Sequence, residues 1–223
     1  MPRRPRIATG GLAYHVLNRR VGRWPLFESP KDYALFETIL QEAVEHRQIR
    51  IVSYCLMPNH WHLLLWPRKD GELSEVMRWI TVTHTQRWHA SHQTAGTGPI
   101  YQGRFKSFPI QTDEHFIAVA RYVERNPLRA RLVRRAENWR WSSLWSGKES
   151  GAIPRSWLSA WPMERPRNWV KRVNDAETAV ELEDLRGSVQ RGRPFGSPRW
   201  QVQIAKRLGL ESTLRARGRP KGS

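Results

Sequence analysis

Cysteine is almost absent from this chain: Cys55 is the only one in 223 residues. An intrachain disulfide is therefore excluded, and a reducing, cytoplasmic setting is expected. Acids are scarce as well, 20 Asp and Glu against 38 Lys and Arg, a formal charge of +18. A field of that sign concentrates polyanions, so nucleic acid is the first partner to consider. No apolar run approaches the length of a membrane span, and no basic amphipathic helix stands apart from the core pattern. A membrane is not expected as a partner. The N-terminus, MPRRPRIATGG, is basic but lacks the apolar segment of a signal peptide. Hydrophobic residues make up 39% of the chain, enough for one core with an appendage. Twelve tryptophans are many for this length. Some belong to a core, and others could stack on bases.

The chain reads in order as strand, helix, strand, strand, helix, strand, helix. Leu12 to Asn18 reads as a strand, followed by Arg19, Arg20 and Arg23 in a turn. Six arginines and no acid fall in the first 23 residues, which suits an arm that contacts phosphates. Ser29-Pro30 looks like a helix start, and Tyr33, Phe36, Ile39, Leu40 and Val44 recur at helical spacing to about His46. Ile49 to Met57 and Trp61 to Trp66 read as strands, joined at Pro58-Asn59 as a hairpin. Leu73 to about His92 reads as a helix with Val76, Trp79, Ile80 and Thr83 buried. His84, His89 and His92 are spaced poorly for chelation and read as a polar face. Phe105 to Ile110 reads as a strand. Asp113 caps a helix that runs to Asn126, with Pro127 ending it. The first six elements match an α+β, ferredoxin-like (split β-α-β) antiparallel sheet. One open sheet face and an extra helix after the last strand are expected. That fold alone decides no function.

Three regions are expected: a catalytic unit over residues 1–147, a linking and packing segment over 148–185, and a basic tail over 186–223. The tail has a net charge of +9, half the total excess. It holds two Arg-Gly-Arg-Pro sequences, at Arg191 to Pro194 and Arg217 to Pro220. Each could lie extended in a minor groove through Arg193 or Arg219. Between them, Ser197-Pro198 opens a short helix with Trp200, Ile204 and Leu208 on one face and Gly209 as its stop.

The most informative stretch is YCLMPNHWHLLLW, Tyr54 to Trp66. On a strand, residues two apart share a face, so His60 and His62 point one way and Trp61 and Leu63 the other. Two adjacent imidazoles make half a metal site, or two polar residues on a solvated face. Tyr122 and Asn126 are four apart on the last helix and share its face. Tyr122 flanks the stripe of Phe116, Val119, Ala120 and Val123. By itself it reads equally as a core tyrosine, and Asn126 as a helix stop.

Together these segments resemble a known family. His60-Trp61-His62 within MPNHWHLLL looks like the histidine–hydrophobe–histidine motif. RYVERNPLRARLV, Arg121 to Val133, looks like the tyrosine segment of single-tyrosine transposases carrying that motif. Within them it most resembles the REP-associated tyrosine transposases. GRFKSF (Gly103 to Phe108), the WSS at Trp141 to Ser143 and the basic tail are similar too. The resemblance implies histidines on a central strand and a tyrosine on a facing helix. It implies that His60 and His62 bind a metal ion, with Asn126 as a third ligand through its amide oxygen. Tyr122 would then be the nucleophile.

The implied reaction is metal-dependent cleavage and transfer of single-stranded DNA through a covalent 5′-phosphotyrosine link, acting on palindromic repeats that fold as hairpins. Two imidazoles and an amide oxygen suit Mg²⁺ or Mn²⁺; Zn²⁺ lacks a thiolate or third histidine to complete its usual site. Arg104, Lys106, Arg121 and Arg125, with Arg129 and Arg131, could track phosphates near the cut. Phe105 between two cations could stack a base or lie in the core. A monomer is expected, with a dimer left open, and a cytoplasmic, nucleoid-associated location. The rival reading is a non-catalytic or regulatory hairpin DNA- or RNA-binding protein on the same fold.

Overall fold

The computed structural model describes residues 8–145 and 156–215. Alternating side chains over Ala13–Arg19 (β1), Ile51–Met57 (β2), His60–Leu65 (β3) and Lys106–Ile110 (β4) build a four-stranded antiparallel sheet in the order β2-β3-β1-β4. Helices α1 (Pro30–Arg47) and α2 (Glu72–His92) lie in the two crossovers. This is the ferredoxin-like order expected from the sequence. Ser29 caps α1 in a capping box with Asp32, and Pro30 occupies its first turn, where its missing N–H costs nothing.

The period of two sorts the strands between two cores. Tyr14, Val16, Tyr54, Leu56, Trp61 and Leu63 pack with Phe36, Ile39, Leu40, Met77 and Ile80 of α1 and α2. Ala13, Val52, Cys55, Met57, Leu64, Phe108 and Ile110 pack on the other face. There they meet Phe116, Val119, Ala120 and Val123 of α3 (Glu114–Glu124). The register of β2 against β3 shifts between Ile51 and Ser53. Val52 and Ser53 consequently both serve the α3 side, Val52 in its core and Ser53 bonded to Glu124.

Several elements differ from the sequence reading. Pro127 does not end the helical path. It sits in the first turn of α4 (Asn126–Arg129), a position that tolerates proline, so the chain turns again after Arg125. The buried stripe of α2 runs through Leu73, Val76, Met77, Ile80, His84 and Trp88. His84 thus belongs to the core and bonds to the Tyr101 hydroxyl at 2.6 Å; only His89 and His92 remain partly polar in setting. The second sheet face is not open, because α3 and Trp169 of α5 (Trp169–Asn174) cover it.

Helix α6 (Ala179–Arg191) runs across residues 185 and 186, where a linker was expected to give way to a tail. Its Leu185 and Ser188 are buried. After it, Phe195 pairs with the β4 edge: its N–H donates to Pro109 O at 2.9 Å and its carbonyl accepts from Gln111 N. The β2 edge is covered similarly by the WSS segment, with Leu56 N to Trp141 O at 2.8 Å and Ser143 N to Tyr54 O at 2.9 Å. Part of each edge's exposed row of backbone groups is thereby paired. Helix α7 (Pro198–Leu208) buries Ile204, Ala205 and Leu208, and Gly209 ends it at φ 63°, a conformation glycine adopts freely.

Candidate active site

The histidines stand where the period of two puts them. On β3, His60 and His62 face α3, while Trp61 and Leu63 enter the opposite core. The turn before them is pinned: the Pro58 carbonyl accepts from Leu26 and Phe27, and that of Asn59 from Arg20. His60 Nδ1 lies 2.6 Å from Asn59 Oδ1, so the ring nitrogen donates to the amide oxygen. His62 Nδ1 lies 2.8 Å from Nε2 of His15, a residue of β1. Both histidines thus engage Nδ1 within the protein. That leaves Nε2 as the nitrogen each could offer a metal.

Burial holds both rings neutral. Loss of solvent brings His60 down to about 3, helped by the charges of Arg19 and Arg129. His62 is pushed well below its ordinary value for the same reason, with His60, His15, Arg129 and Arg19 adding to it. A neutral imidazole keeps the lone pair that coordination requires.

Tyr122 projects from α3 onto this pair. Its ring stands edge-on to His62, centroids 5.8 Å apart at 90°, and 6.3 Å from His15. The Arg129 guanidinium lies 4.1 Å over the Tyr122 ring. Arg19, at the end of β1, lies within electrostatic reach of the phenol, and its Nε is buried without a partner. Asn126 follows one turn after Tyr122. It is 7% exposed, and its Nδ2 is buried with no hydrogen bond. An amide can be turned to present oxygen where nitrogen is drawn, so this orphaned group is chemically suited to complete a ligand set. Among the described residues, the one group of three acidic or histidine side chains whose ligand atoms all lie within 4.8 Å of one another is elsewhere, at Asp113, Glu114 and His115. Asp113 Oδ1 there already accepts from His115 N and Nδ1, as a helix cap.

The arginines of the tyrosine segment have protein partners. Arg121 donates to the carbonyls of Asp175 and Ala176, and Arg125 to those of Val173 and Asn174. Arg129 pairs with Glu177 at 3.1 Å, and Arg125 approaches the same carboxylate at 3.6 Å. Spaced by four, they form a comb that holds the turn after α5. Arg193 folds back onto Asp184 of α6 instead of lying extended, because Gly192 ends that helix at φ 70°. Arg219, with the second Arg-Gly-Arg-Pro, lies outside the described residues, as do the arginines before residue 8. Arg104 and Lys106 are exposed and Phe105 is core. The two cations line a groove of about 610 Å³ that also takes in Arg19 and Arg23 and has no acid in its wall.

Comparison with known proteins bears on this geometry. A family model described as Transposase IS200 like matches residues 8–126, from just before β1 to Asn126. The chain belongs to this transposase family. A Haemophilus influenzae protein named as a REP-associated tyrosine transposase is 22% identical over 130 residues, 55% of this chain and 74% of that one. The REP-associated tyrosine transposase of Escherichia coli K12 is 23% identical over 148 residues, 66% of this chain and 85% of that one. A solved REP-associated tyrosine transposase bound to a REP hairpin covers 74% of this chain and 94% of its own, with TM-score 0.54 and 21% identity. That likeness shows the fold.

Three features of this IS200-like transposase were not singled out from its sequence. His15 sits in LAYHVLN, where alternation places it on the Ala13 and Leu17 face, but nothing local says which strand it meets. Asn59 was read only as a turn residue. Glu124, inside the tyrosine segment, is buried and accepts from Ser53, Ser143 and Trp169. No helix among the described residues is long and apolar enough to cross a membrane.

Proposed function

We propose that this transposase cuts and rejoins single-stranded DNA beside a hairpin, with Tyr122 as nucleophile. The observation that carries the reading is the Tyr122 ring set edge-on against His62, with the His60 ring 4.9 Å from that of His62 and the Arg129 guanidinium over the tyrosine ring. Two chain segments distant in sequence meet there, and His15 of β1 brings a third against the tyrosine. Packing alone does not call for two neutral histidines and an unpartnered amide.

His60 and His62 through Nε2, and Asn126 through its amide oxygen, are the residues that would hold a divalent cation. Bound there, Mg²⁺ or Mn²⁺ would supply charge neutralisation for a phosphodiester. Imidazole ligands favour Mn²⁺ over Mg²⁺. The chain's own residues supply the remaining parts. Arg19 and Arg129 provide positive charge beside the phenol, where phosphate oxygens would lie. Arg129 also holds the tyrosine ring from its face. The Tyr122 oxygen attacks phosphorus, the bond to the 3′ oxygen breaks, and a 3′-hydroxyl leaves. The phenol loses its proton, and the leaving oxygen takes one up. The product is a 5′-phosphotyrosine ester, whose retained bond energy allows another 3′-hydroxyl to reverse the step.

The groove of Arg19, Arg23, Arg104 and Lys106 is the proposed path for the strand. Hairpin DNA as partner is carried over from the structural neighbour bound to a REP hairpin. The test is a covalent-adduct assay: labelled hairpin DNA with single-stranded flanks, Mn²⁺, then denaturation. Wild type should give a protein-linked band, and chelation should remove it. Tyr122→Phe should abolish the band and leave affinity within about tenfold, since losing an ordinary hydrogen bond costs about 0.5–1.5 kcal/mol. Binding with no adduct from wild type would favour a non-catalytic protein.

A further inference from the structure

Three histidines, not two, occupy the α3 side of the sheet. His62 pairs across the ladder with Leu17 and His15 with Leu64, which makes the two histidines diagonal neighbours on one face. His15 Nε2 and His62 Nδ1 are 2.8 Å apart. His15 is fully buried, and its ring lies against Phe108 at 4.9 Å. Its other nitrogen, Nδ1, is buried with no partner.

Two neutral imidazoles in that contact share one hydrogen, and its place sets the tautomer of both rings. If His15 donates from Nε2, His62 must carry its own hydrogen on Nε2 and cannot coordinate through that atom. If His62 donates from Nδ1, its Nε2 keeps a bare lone pair, and His15 carries its hydrogen on Nδ1. Only the second arrangement suits a ligand. We propose that His15 is a positioning residue for the metal site: it accepts the Nδ1 hydrogen of His62 and so keeps His62 Nε2 free for a cation. The inference rests on the reading of His60 and His62 as ligands.

A packing role does not account for the residue. Phenylalanine would fill the place beside Phe108 without leaving a buried nitrogen unsatisfied. His60 has the matching arrangement, its Nδ1 donating to Asn59 Oδ1. Each histidine of the motif therefore has its own acceptor, one from the turn and one from the neighbouring strand. Such partners fix the orientation and basicity of a metal-ligating histidine, and losing one weakens metal binding by about 10–100-fold.

The test is titration of the full chain with MnCl₂ by calorimetry, for wild type, His15→Phe, His15→Gln and His60→Ala. Glutamine can accept through its amide oxygen where His15 does; phenylalanine cannot. His15→Phe should weaken Mn²⁺ binding about 10–100-fold with an unchanged near-ultraviolet circular dichroism spectrum, and His15→Gln should recover to within about threefold of wild type. Wild-type affinity in a folded His15→Phe protein would overturn the proposal. Should His15→Phe not fold, nitrogen–proton correlation spectra of Mg²⁺-loaded wild type decide the matter. A His62 hydrogen on Nδ1 supports the proposal, and one on Nε2 overturns it. A wild type that binds no Mn²⁺, or a His60→Ala protein that binds it equally well, overturns the metal reading itself and the role of His15 with it.

Discussion

Replacing Glu124 by alanine would remove the acceptor at which four separate pieces of the chain meet. Its carboxylate is 1% exposed. Oε1 accepts from Ser53 Oγ of β2 at 3.1 Å and from Ser143 Oγ of the WSS segment at 2.6 Å. Oε2 accepts from the indole N–H of Trp169 in α5 at 2.6 Å. Arg165 approaches at 3.8 Å, but its side chain is well exposed and adds little. A hydrogen bond to a charged group contributes about 1.5–3 kcal/mol, and its loss leaves a buried donor without water. The serines can re-pair: Ser53 and Ser143 are already 2.8 Å apart, and Ser143 also reaches Tyr54 O. Trp169 cannot, because an indole only donates.

The expected cost of Glu124→Ala is therefore about 3–5 kcal/mol, the range for breaking a buried charged network. Glu124→Gln should cost much less, about 1–2 kcal/mol. Its single oxygen would serve Trp169, and its amino group would turn to the serines, which can accept. Urea unfolding at neutral pH, read by tryptophan fluorescence, measures both. The ordering is the sharper part. Equal losses for alanine and glutamine would mean that charge, not the bonding geometry, holds the site. A loss below about 1 kcal/mol for alanine would mean that the three donors find other partners, and the reasoning would be refuted.

Further outcomes follow from the same geometry. Arg104→Ala with Lys106→Ala removes two exposed cations from the groove. It should weaken binding of single-stranded DNA and lower the salt slope by about 1.4, two contacts at about 0.7 each; an unchanged slope would place the strand elsewhere. Trp24 is 67% exposed beside Arg23 of that groove. Trp24→Ala should cost about 1–3 kcal/mol in single-strand affinity if a base stacks there, and nothing in stability. Burial holds His15 and His84 near 3 in the folded protein, against 6.5 unfolded. The unfolded chain therefore takes up protons first as pH falls. Stability is whole above pH 6.5 and is lost progressively toward 3, by about 2 kcal/mol for each of the two histidines at pH 5. Urea midpoints at pH 7 and pH 5 check this, and His84→Phe should remove about half of these two residues' share of the slope.

Most element positions could be read in advance, because each rests on local signals: Ser29-Pro30, the Pro58-Asn59 turn, the Asp113 cap, the Gly209 stop. Two local readings slipped: Pro127 as a helix end, and the helical phase of α2. The α2 stripe passes through His84, and a polar residue at a core position can be recognised only once Tyr101, its partner seventeen residues on, is known to face it. The site divides the same way. His60, His62 and Tyr122 could be proposed because a motif carries them. Arg121 and Arg125 looked like phosphate ligands because each is a cation beside the tyrosine. Their carbonyl partners come from residues 173–176, some fifty positions later, and no periodicity reaches that far. His15 belongs to the same class. A single histidine in an apolar strand has no signature until the β1–β3 register sets it diagonally opposite His62. The motif thus marks the atoms proposed to meet DNA and metal, while the groups that hold those atoms in place arise from pairing between strands and from the returning C-terminal segment. Replacements at that supporting layer should therefore alter metal affinity or stability without changing which bond is cut, whereas replacement of Tyr122 should remove the adduct and leave both intact.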